Sequence, residues 1–99
     1  MVPPNRELTP ILKGRTVKSA VQTDNLLVLT FADGSTMKVK TGGPAPTAAL
    51  QGRTVKMVRQ SGVVMELDFS DNSKAQIKLA EETSSVMLRK ANGKFEYAD

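Results

Sequence analysis

Two amino acids that carry much of protein chemistry are missing from this sequence. Its 99 residues include no cysteine and no histidine. Without cysteine there is no disulfide, no thiolate nucleophile and no thiolate metal ligand. Without histidine there is neither the usual general base near neutral pH nor the commonest metal ligand. The composition therefore predicts no metal site and no cofactor, and it excludes the commonest forms of nucleophilic catalysis.

Long apolar runs are missing as well. No stretch approaches the roughly 20 apolar residues that cross a bilayer, and the N-terminal MVPPNREL lacks the basic-then-apolar order of a secretory signal. We therefore expect a cytoplasmic protein that does not associate with membranes. Hydrophobic residues make up 39% of the chain and charged residues 24%, as in globular proteins. The length fits a single domain over residues 1–99.

What the chain does contain is a repeat. After a shift of 38 positions, residues 12–41 align without a gap with residues 50–79, and 12 of the 30 aligned positions are identical. The longest identical stretch is GRTVK, which begins at Gly14 and again at Gly52. Ungapped identity of this extent indicates an internal duplication. The phrase recurs because it begins the same structural unit twice.

Each copy predicts a three-stranded antiparallel meander. The first strands cover Thr16–Gln22 and Thr54–Gln60, and the three-residue step from Val17 to Ala20 predicts a bulge. The second and third strands alternate apolar with other residues, which predicts one buried face per strand. The predicted buried positions are Leu27, Leu29, Phe31, Met37 and Val39 in the first copy, and Met65, Leu67, Phe69, Ala75, Ile77 and Leu79 in the second.

Turn residues separate these strands. Asp33-Gly34 and Asp71-Asn72 predict two-residue hairpin turns with positive φ at both central positions, and Gly14 and Gly52 are expected at positive φ where each copy begins. Leu12 and Leu50 should fill the edge of the core.

The rest of the chain predicts a linker and one more hairpin. TGGPAPTAA joins the two copies, LAEETSS is long enough for one helical turn, and residues 84–98 form a hairpin around Asn92-Gly93 with Phe95 and Tyr97 on one face. The fold class is all-β, with about eight antiparallel strands: two duplicated meanders and the C-terminal hairpin in a small barrel or two-layer sandwich.

No catalytic residues are predicted. Glu66 and Asp68 lie two apart on one strand face and are the best candidate for a carboxylate pair. Lys56, Lys74 and Lys78 are expected on the same face, so cross-strand ion pairs explain the two acids better than acid–base catalysis does. We expect a protein that is not an enzyme.

The two copies differ in charge on their outer faces. Residues 1–65 hold nine Lys or Arg against three acids, whereas residues 66–99 hold five against seven. Where the second copy has Val64, Glu66 and Asp68, the first has Leu26, Val28 and Thr30. The predicted partner-binding surface of the first copy therefore combines an apolar stripe with lysines that meet no acid; its residues are Leu26, Val28, Lys18, Lys38 and Lys40.

Three kinds of cover fit that surface. The C-terminal hairpin, with Glu81, Glu82, Glu96 and Asp99, is an internal cover; a second copy of the chain and an acidic protein partner are the external ones. The resulting hypothesis is a non-enzymatic binding or assembly module that takes an unknown protein partner or forms a homo-oligomer.

The alternative is binding to the nucleic-acid backbone. Basic stripes on the sheet exteriors would then carry the contacts, through Arg15, Arg53, Lys56, Lys74 and Lys78. Single-strand recognition also uses exposed aromatic side chains. The chain has only three Phe and one Tyr, and two of these, Phe31 and Phe69, are predicted to be buried.

Overall fold

Eight β-strands and two short helices make up the protein, in a computed structural model that describes residues 2–98. No helix in the described part of the chain is long and apolar enough to cross a membrane. The elements, in chain order, are α1 Leu8–Leu12, β1 Val17–Thr23, β2 Leu26–Phe31, β3 Thr36–Lys40, α2 Thr47–Leu50, β4 Val55–Ser61, β5 Val64–Phe69, β6 Lys74–Lys78, β7 Val86–Arg89 and β8 Phe95–Ala98.

The strands form two antiparallel sheets. One has five strands in the order β1-β2-β3-β7-β8, and the other has three in the order β4-β5-β6. The strands of the first copy begin at residues 17, 26 and 36, and those of the second at residues 55, 64 and 74. The all-β class and both meanders are thus confirmed. That the copies share an origin rests on their sequence identities.

The core lies between the sheets, where the predicted alternation places it. Every predicted buried position of the second and third strands has 4% or less of its surface exposed. Leu12 and Leu50 are fully buried at the ends of the two helices, as expected. Burying a side chain such as Leu or Phe contributes about 1.5–3 kcal/mol each, so this shared interior is the main stabilising feature of the fold.

The repeated GRTV phrases meet each other where the two copies join. The N–H of Gly14 donates to the carbonyl of Val55, and the N–H of Gly52 donates to the carbonyl of Val17, both at 2.8 Å. Between them, the hydroxyls of Thr16 and Thr54 lie 2.8 Å apart. Both glycines have positive φ, +90° and +83°, which confirms their predicted role. Each copy of the GRTV sequence therefore supplies half of one reciprocal set of hydrogen bonds.

A second junction joins the ends of β3 and β6. The N–H of Gly42 donates to the carbonyl of Lys78, and the N–H of Ala80 donates to that of Lys40, each at 2.9 Å. A bridge between Thr41 and Leu79 lies beside these bonds. The two sheets are therefore hydrogen-bonded to each other at two places, where β1 and β4 begin and where β3 and β6 end.

Bulges occur in both first strands. The register shifts between Val17 and Ser19 in β1, and between Val55 and Met57 in β4. Lys18 is therefore an extra residue without a directly opposed partner. The predicted bulge is confirmed, and it places Ala20 opposite Leu29 on the inner side of the sheet.

The turn type predicted for Asp33-Gly34 and Asp71-Asn72 is wrong. Only Gly34 and Asn72 have positive φ, +90° and +71°. The N–H of Gly34 donates to the carbonyl of Phe31, and the N–H of Phe31 donates to Ser35, which defines a three-residue loop closed by a left-handed residue. The carboxylate of Asp33 accepts from the N–H and hydroxyl of Ser35, so the aspartate is held by its own side-chain bonds.

The C-terminal hairpin forms as predicted, but its two aromatic side chains lie on opposite faces. β7 pairs with β3 and with β8, so the hairpin extends the first sheet. An irregularity in the β7–β8 register pairs Tyr97 with the buried Leu88 and Phe95 with the exposed Arg89. Glu96 is the extra residue between them, and the expectation that Phe95 and Tyr97 share a face is therefore wrong.

Candidate functional site

The outer face of the five-stranded sheet is the candidate site. It consists of the residues that alternate with the buried ones on β1, β2, β3, β7 and β8, and it is called the outer face below. One cross-strand row runs Val21, Val28, Lys38, Met87, Ala98. The next row runs Ser19, Thr30, Thr36, Arg89, Phe95, and Leu26 pairs with Lys40 beside the first row.

Exposed apolar side chains are concentrated on this face. Among residues 2–98, the large hydrophobic side chains that stand exposed are Val21, Met87 and Phe95, with 54%, 39% and 59% of their surface accessible. All three belong to the outer face, together with the half-buried Leu26 and Val28. Hydrophobic residues scattered singly on a surface need no explanation. Their grouping on one sheet face indicates an interaction surface.

The charge of the outer face has one sign. Lys38, Lys40 and Arg89 occupy outward positions, and no described outward position of these five strands holds an acid. Lys18 is exposed nearby at the bulge. No lysine forms a salt bridge with a described acidic residue. Four of the five residues predicted as partner-binding, Leu26, Val28, Lys38 and Lys40, thus lie on one side of the sheet, paired across β2 and β3, and Lys18 is exposed at the bulge of β1.

A groove of about 530 Å³ crosses one end of the outer face. Its walls come from three places: Leu26 on β2, the lysines of β3, and the β7–β8 hairpin with the loop before it. The lining residues are Leu26, Lys38, Lys40, Ser84, Ser85, Val86, Met87 and Ala98. The hairpin therefore forms one wall of a groove beside Leu26.

The acids expected as an internal cover lie elsewhere. Glu96 turns to Arg15, with 2.7 Å between its Oε2 and Nη2. The N–H of Glu81 donates to Ser85, and Glu82 lines a separate polar pocket beside Gly62. Asp99 lies outside the described residues. None of the described acids forms a salt bridge with Lys18, Lys38 or Lys40.

The corresponding face of the three-stranded sheet carries two acids, one of which is paired within the face. Asp68 accepts a hydrogen bond from Arg59 Nε at 2.9 Å, and Glu66 is buried opposite Arg59 and Gln76. An ion pair does form, as expected, but with an arginine where lysines were predicted. Lys74 is directly opposite Asp68 in the strand register without a salt bridge to it. The planar guanidinium of Arg59 supplies directed donors, which an ammonium lacks.

Both arginines of the predicted basic stripes are also paired. Arg15 binds Glu96, and its Nε lies 3.6 Å from Oδ2 of Asp33. Its counterpart Arg53 binds Asp71. The hydrogen bond to Glu96 raises the pKa of the Arg15 guanidinium above its ordinary value, against the opposing effect of burial. Hydrogen bonds from the Ser35 hydroxyl and N–H, helped by Arg15, lower the pKa of the Asp33 carboxyl. The stripes therefore keep only Lys56, Lys74 and Lys78 as unpaired cations.

The sequence-based reasoning overlooked Val21, Met87, Arg89 and Phe95. The alternation in VMLR predicts that Met87 and Arg89 share a side, but which sheet the hairpin joins is a non-local fact. Among the described residues, no cluster of three or more acidic side chains could hold a metal ion. No family model, curated protein or solved structure matches this chain. The outer face is therefore the feature from which a function can be proposed.

Proposed function

We propose that this protein is a non-enzymatic binding module that docks a protein partner on its outer face. One observation carries the proposal: the exposed apolar side chains and the unpaired cations of the first copy occupy the same surface. The second copy, built on the same strands, carries acids and an arginine at the corresponding place, where Arg59 pairs with Asp68. Solubility alone explains scattered lysines, but it does not explain exposed Met87 and Phe95 on the same face.

A protein fits this face better than a second copy of the chain does. In a twofold-symmetric dimer each patch meets itself, so Lys38 and Lys40 would face a surface of the same sign. Like charges placed across an interface disfavour association. A partner with apolar and acidic side chains complements both features of the face.

The proposal is tested by selection from a display library of random peptides. Peptides of about ten residues suffice, because five strands about 4.8 Å apart span about 20 Å and an extended chain rises about 3.3 Å per residue. Selected peptides are then titrated against the wild type, Leu26→Asp and the matched control Val64→Asp. Leu26 and Val64 occupy corresponding, half-buried outward positions of β2 and β5.

We expect Leu26→Asp to weaken binding by at least about tenfold, which is about 1.4 kcal/mol, and Val64→Asp to leave it unchanged. Thermal unfolding of each variant checks that it is folded. Met87→Asp, at a more exposed position, repeats the test if Leu26→Asp does not fold. Equal effects of the Leu26 and Val64 changes, or a selection that yields no binder, would contradict the proposal.

Binding of single-stranded nucleic acid is a second candidate, and Phe95 favours it. This phenylalanine is exposed opposite Arg89, which gives a stacking surface beside a cation. Phosphate contacts weaken steeply with salt. A labelled single-stranded oligonucleotide that binds at about 50 mM salt and loses affinity by about tenfold or more at about 200 mM would establish this candidate. Absence of binding at both concentrations would remove it.

A further inference from the structure

We infer that the groove recognises an extended protein segment that presents acidic side chains next to an apolar one. This inference rests on the proposed function and names the chemistry of the partner. Leu26, Met87 and Ala98 supply apolar surface to the groove. The volume of about 530 Å³ falls within the range of about 300–1,000 Å³ that specific ligand sites occupy.

The two lysines set the charge of the occupant. Lys38 stands between Val28 and Met87 in the strand register, and Lys40 stands opposite Leu26. They lie two residues apart on one side of β3, which separates their Cα atoms by about 6.6–6.8 Å. Alternate side chains of any extended segment have that same spacing. Two acidic side chains at positions i and i+2 of the partner therefore match the two ammonium groups.

The groove holds no acidic side chain among the described residues that line it. Its other lining residues are serines and apolar residues, and Ser85 is already engaged, donating its hydroxyl to the carbonyl of Glu81 at 2.8 Å. In the second copy the positions of Lys38 and Lys40 hold Gln76 and Lys78, beside the buried Glu66 and the outward Val64. In the first copy both groove lysines stand beside apolar residues, and neither forms a salt bridge with a described acid.

The apolar walls distinguish a protein segment from a nucleic acid. None of the residues lining the groove is aromatic, so the groove has no surface on which a base would stack. Leu26 and Met87 instead provide aliphatic surface for a side chain such as leucine. Met adapts to irregular apolar partners because it is unbranched and polarisable.

The experiment uses three labelled peptides and the intact protein. The probe is Leu-Ser-Glu-Ser-Glu-Ser-Leu, which presents its leucines and glutamates on one side when extended. One control peptide replaces both glutamates by lysine, and the other replaces both leucines by serine. Binding is measured by fluorescence anisotropy at physiological ionic strength, where charges further apart than about 8 Å are largely screened.

We expect the probe to bind the wild type at least about tenfold more tightly than either control peptide. Replacing both groove lysines (Lys38→Glu with Lys40→Glu) should lower the affinity for the probe by about tenfold or more. The same replacement should raise the affinity for the lysine peptide. The matched control is Gln76→Glu with Lys78→Glu on the other sheet, which should change neither affinity by more than about twofold. A merely structural role of the lysines would not produce the exchange of preference.

Three results would overturn the inference. They are equal binding of the glutamate and lysine peptides, unchanged binding after the double lysine replacement, and equal binding of the peptide without leucines. The library selection separates these failures from failure of the proposed function. If selected peptides bind the outer face but lack acidic residues, the proposal of a docking face is supported. The inference that the groove recognises acidic side chains is then wrong. If no peptide is sensitive to Leu26→Asp, the docking proposal falls as well.

Discussion

Thr16 and Thr54 show how single residues join the two copies. Their hydroxyls form one hydrogen bond at 2.8 Å, and the backbone bonds of Gly14 and Gly52 flank it on both sides. Each threonine is half-buried. Since a half-buried hydroxyl that loses its partner also loses part of its solvation, neither threonine can be replaced without consequence for the other.

Replacing one threonine should therefore cost more than replacing the second afterwards. We expect Thr16→Val and Thr54→Val each to lower the free energy of unfolding by about 1–2 kcal/mol, because each leaves the other hydroxyl unpaired. The double variant should lose about 1 kcal/mol less than the sum of the single losses. Urea denaturation of the four proteins measures this coupling. Additive losses would show that the hydroxyl pair does not couple the copies.

At the scale of elements, the two hairpin loops that look equivalent in sequence differ for a reason. Gly34 and Asn72 occupy the same left-handed position. A Cβ on Gly34 would lie 2.9 Å from the Cβ of Ala91, in the loop of the C-terminal hairpin. The three-stranded sheet has no such hairpin, so asparagine, which tolerates this conformation, suffices there. The exchange of Gly for Asn marks where the added hairpin packs.

The effect of Gly34→Ala should exceed that of Gly14→Ala, the matched control. Both positions have φ of +90°, so both alanines incur left-handed strain of about 1–2 kcal/mol. Nothing lies within 4 Å of a Cβ on Gly14, whereas Gly34→Ala meets Ala91 and should lose about 1 kcal/mol more. Adding Ala91→Gly should recover that further loss. Thermal or urea unfolding tests this, and equal losses at the two glycines would contradict the packing described.

The strands, turns and helices were only partly predictable from the sequence. Alternation located the second and third strands of each meander and their buried faces, because a period of two is a local signal. The turn type was missed because the side chain of Asp33 binds Ser35, which spacing does not reveal. The opposite facing of Phe95 and Tyr97 was missed because one extra residue, Glu96, shifts the register. The helices α1 and α2 have five and four residues, too few for a periodic signal.

The candidate site was only partly predictable for a related reason. The charge difference between Val28 and Thr30 and their counterparts Glu66 and Asp68 is visible in the repeat. The contribution of Met87 and Phe95 depends on β7 pairing with β3, a contact between distant parts of the chain. Arg15 was assigned to a basic stripe for nucleic-acid binding, but Glu96 reaches it across 81 positions of sequence.

For the molecule as a whole, two copies of one meander present two different surfaces. The three-stranded sheet pairs Arg59 with Asp68 on its exterior and buries Glu66 beside them. The five-stranded sheet exposes Val21, Met87 and Phe95 among unpaired cations. We therefore propose that binding occurs on the outer face of the five-stranded sheet alone.

The most direct test of this assignment is an amide NMR titration of the labelled protein with a peptide selected from the display library. We expect the amide chemical-shift changes to concentrate on the outer face, at Val28, Lys38 and Met87. The amide signals of Glu66, Gln76 and Lys78 on the opposite sheet should stay unchanged. Shifts centred on β5 and β6, or spread evenly over both sheets, would contradict it.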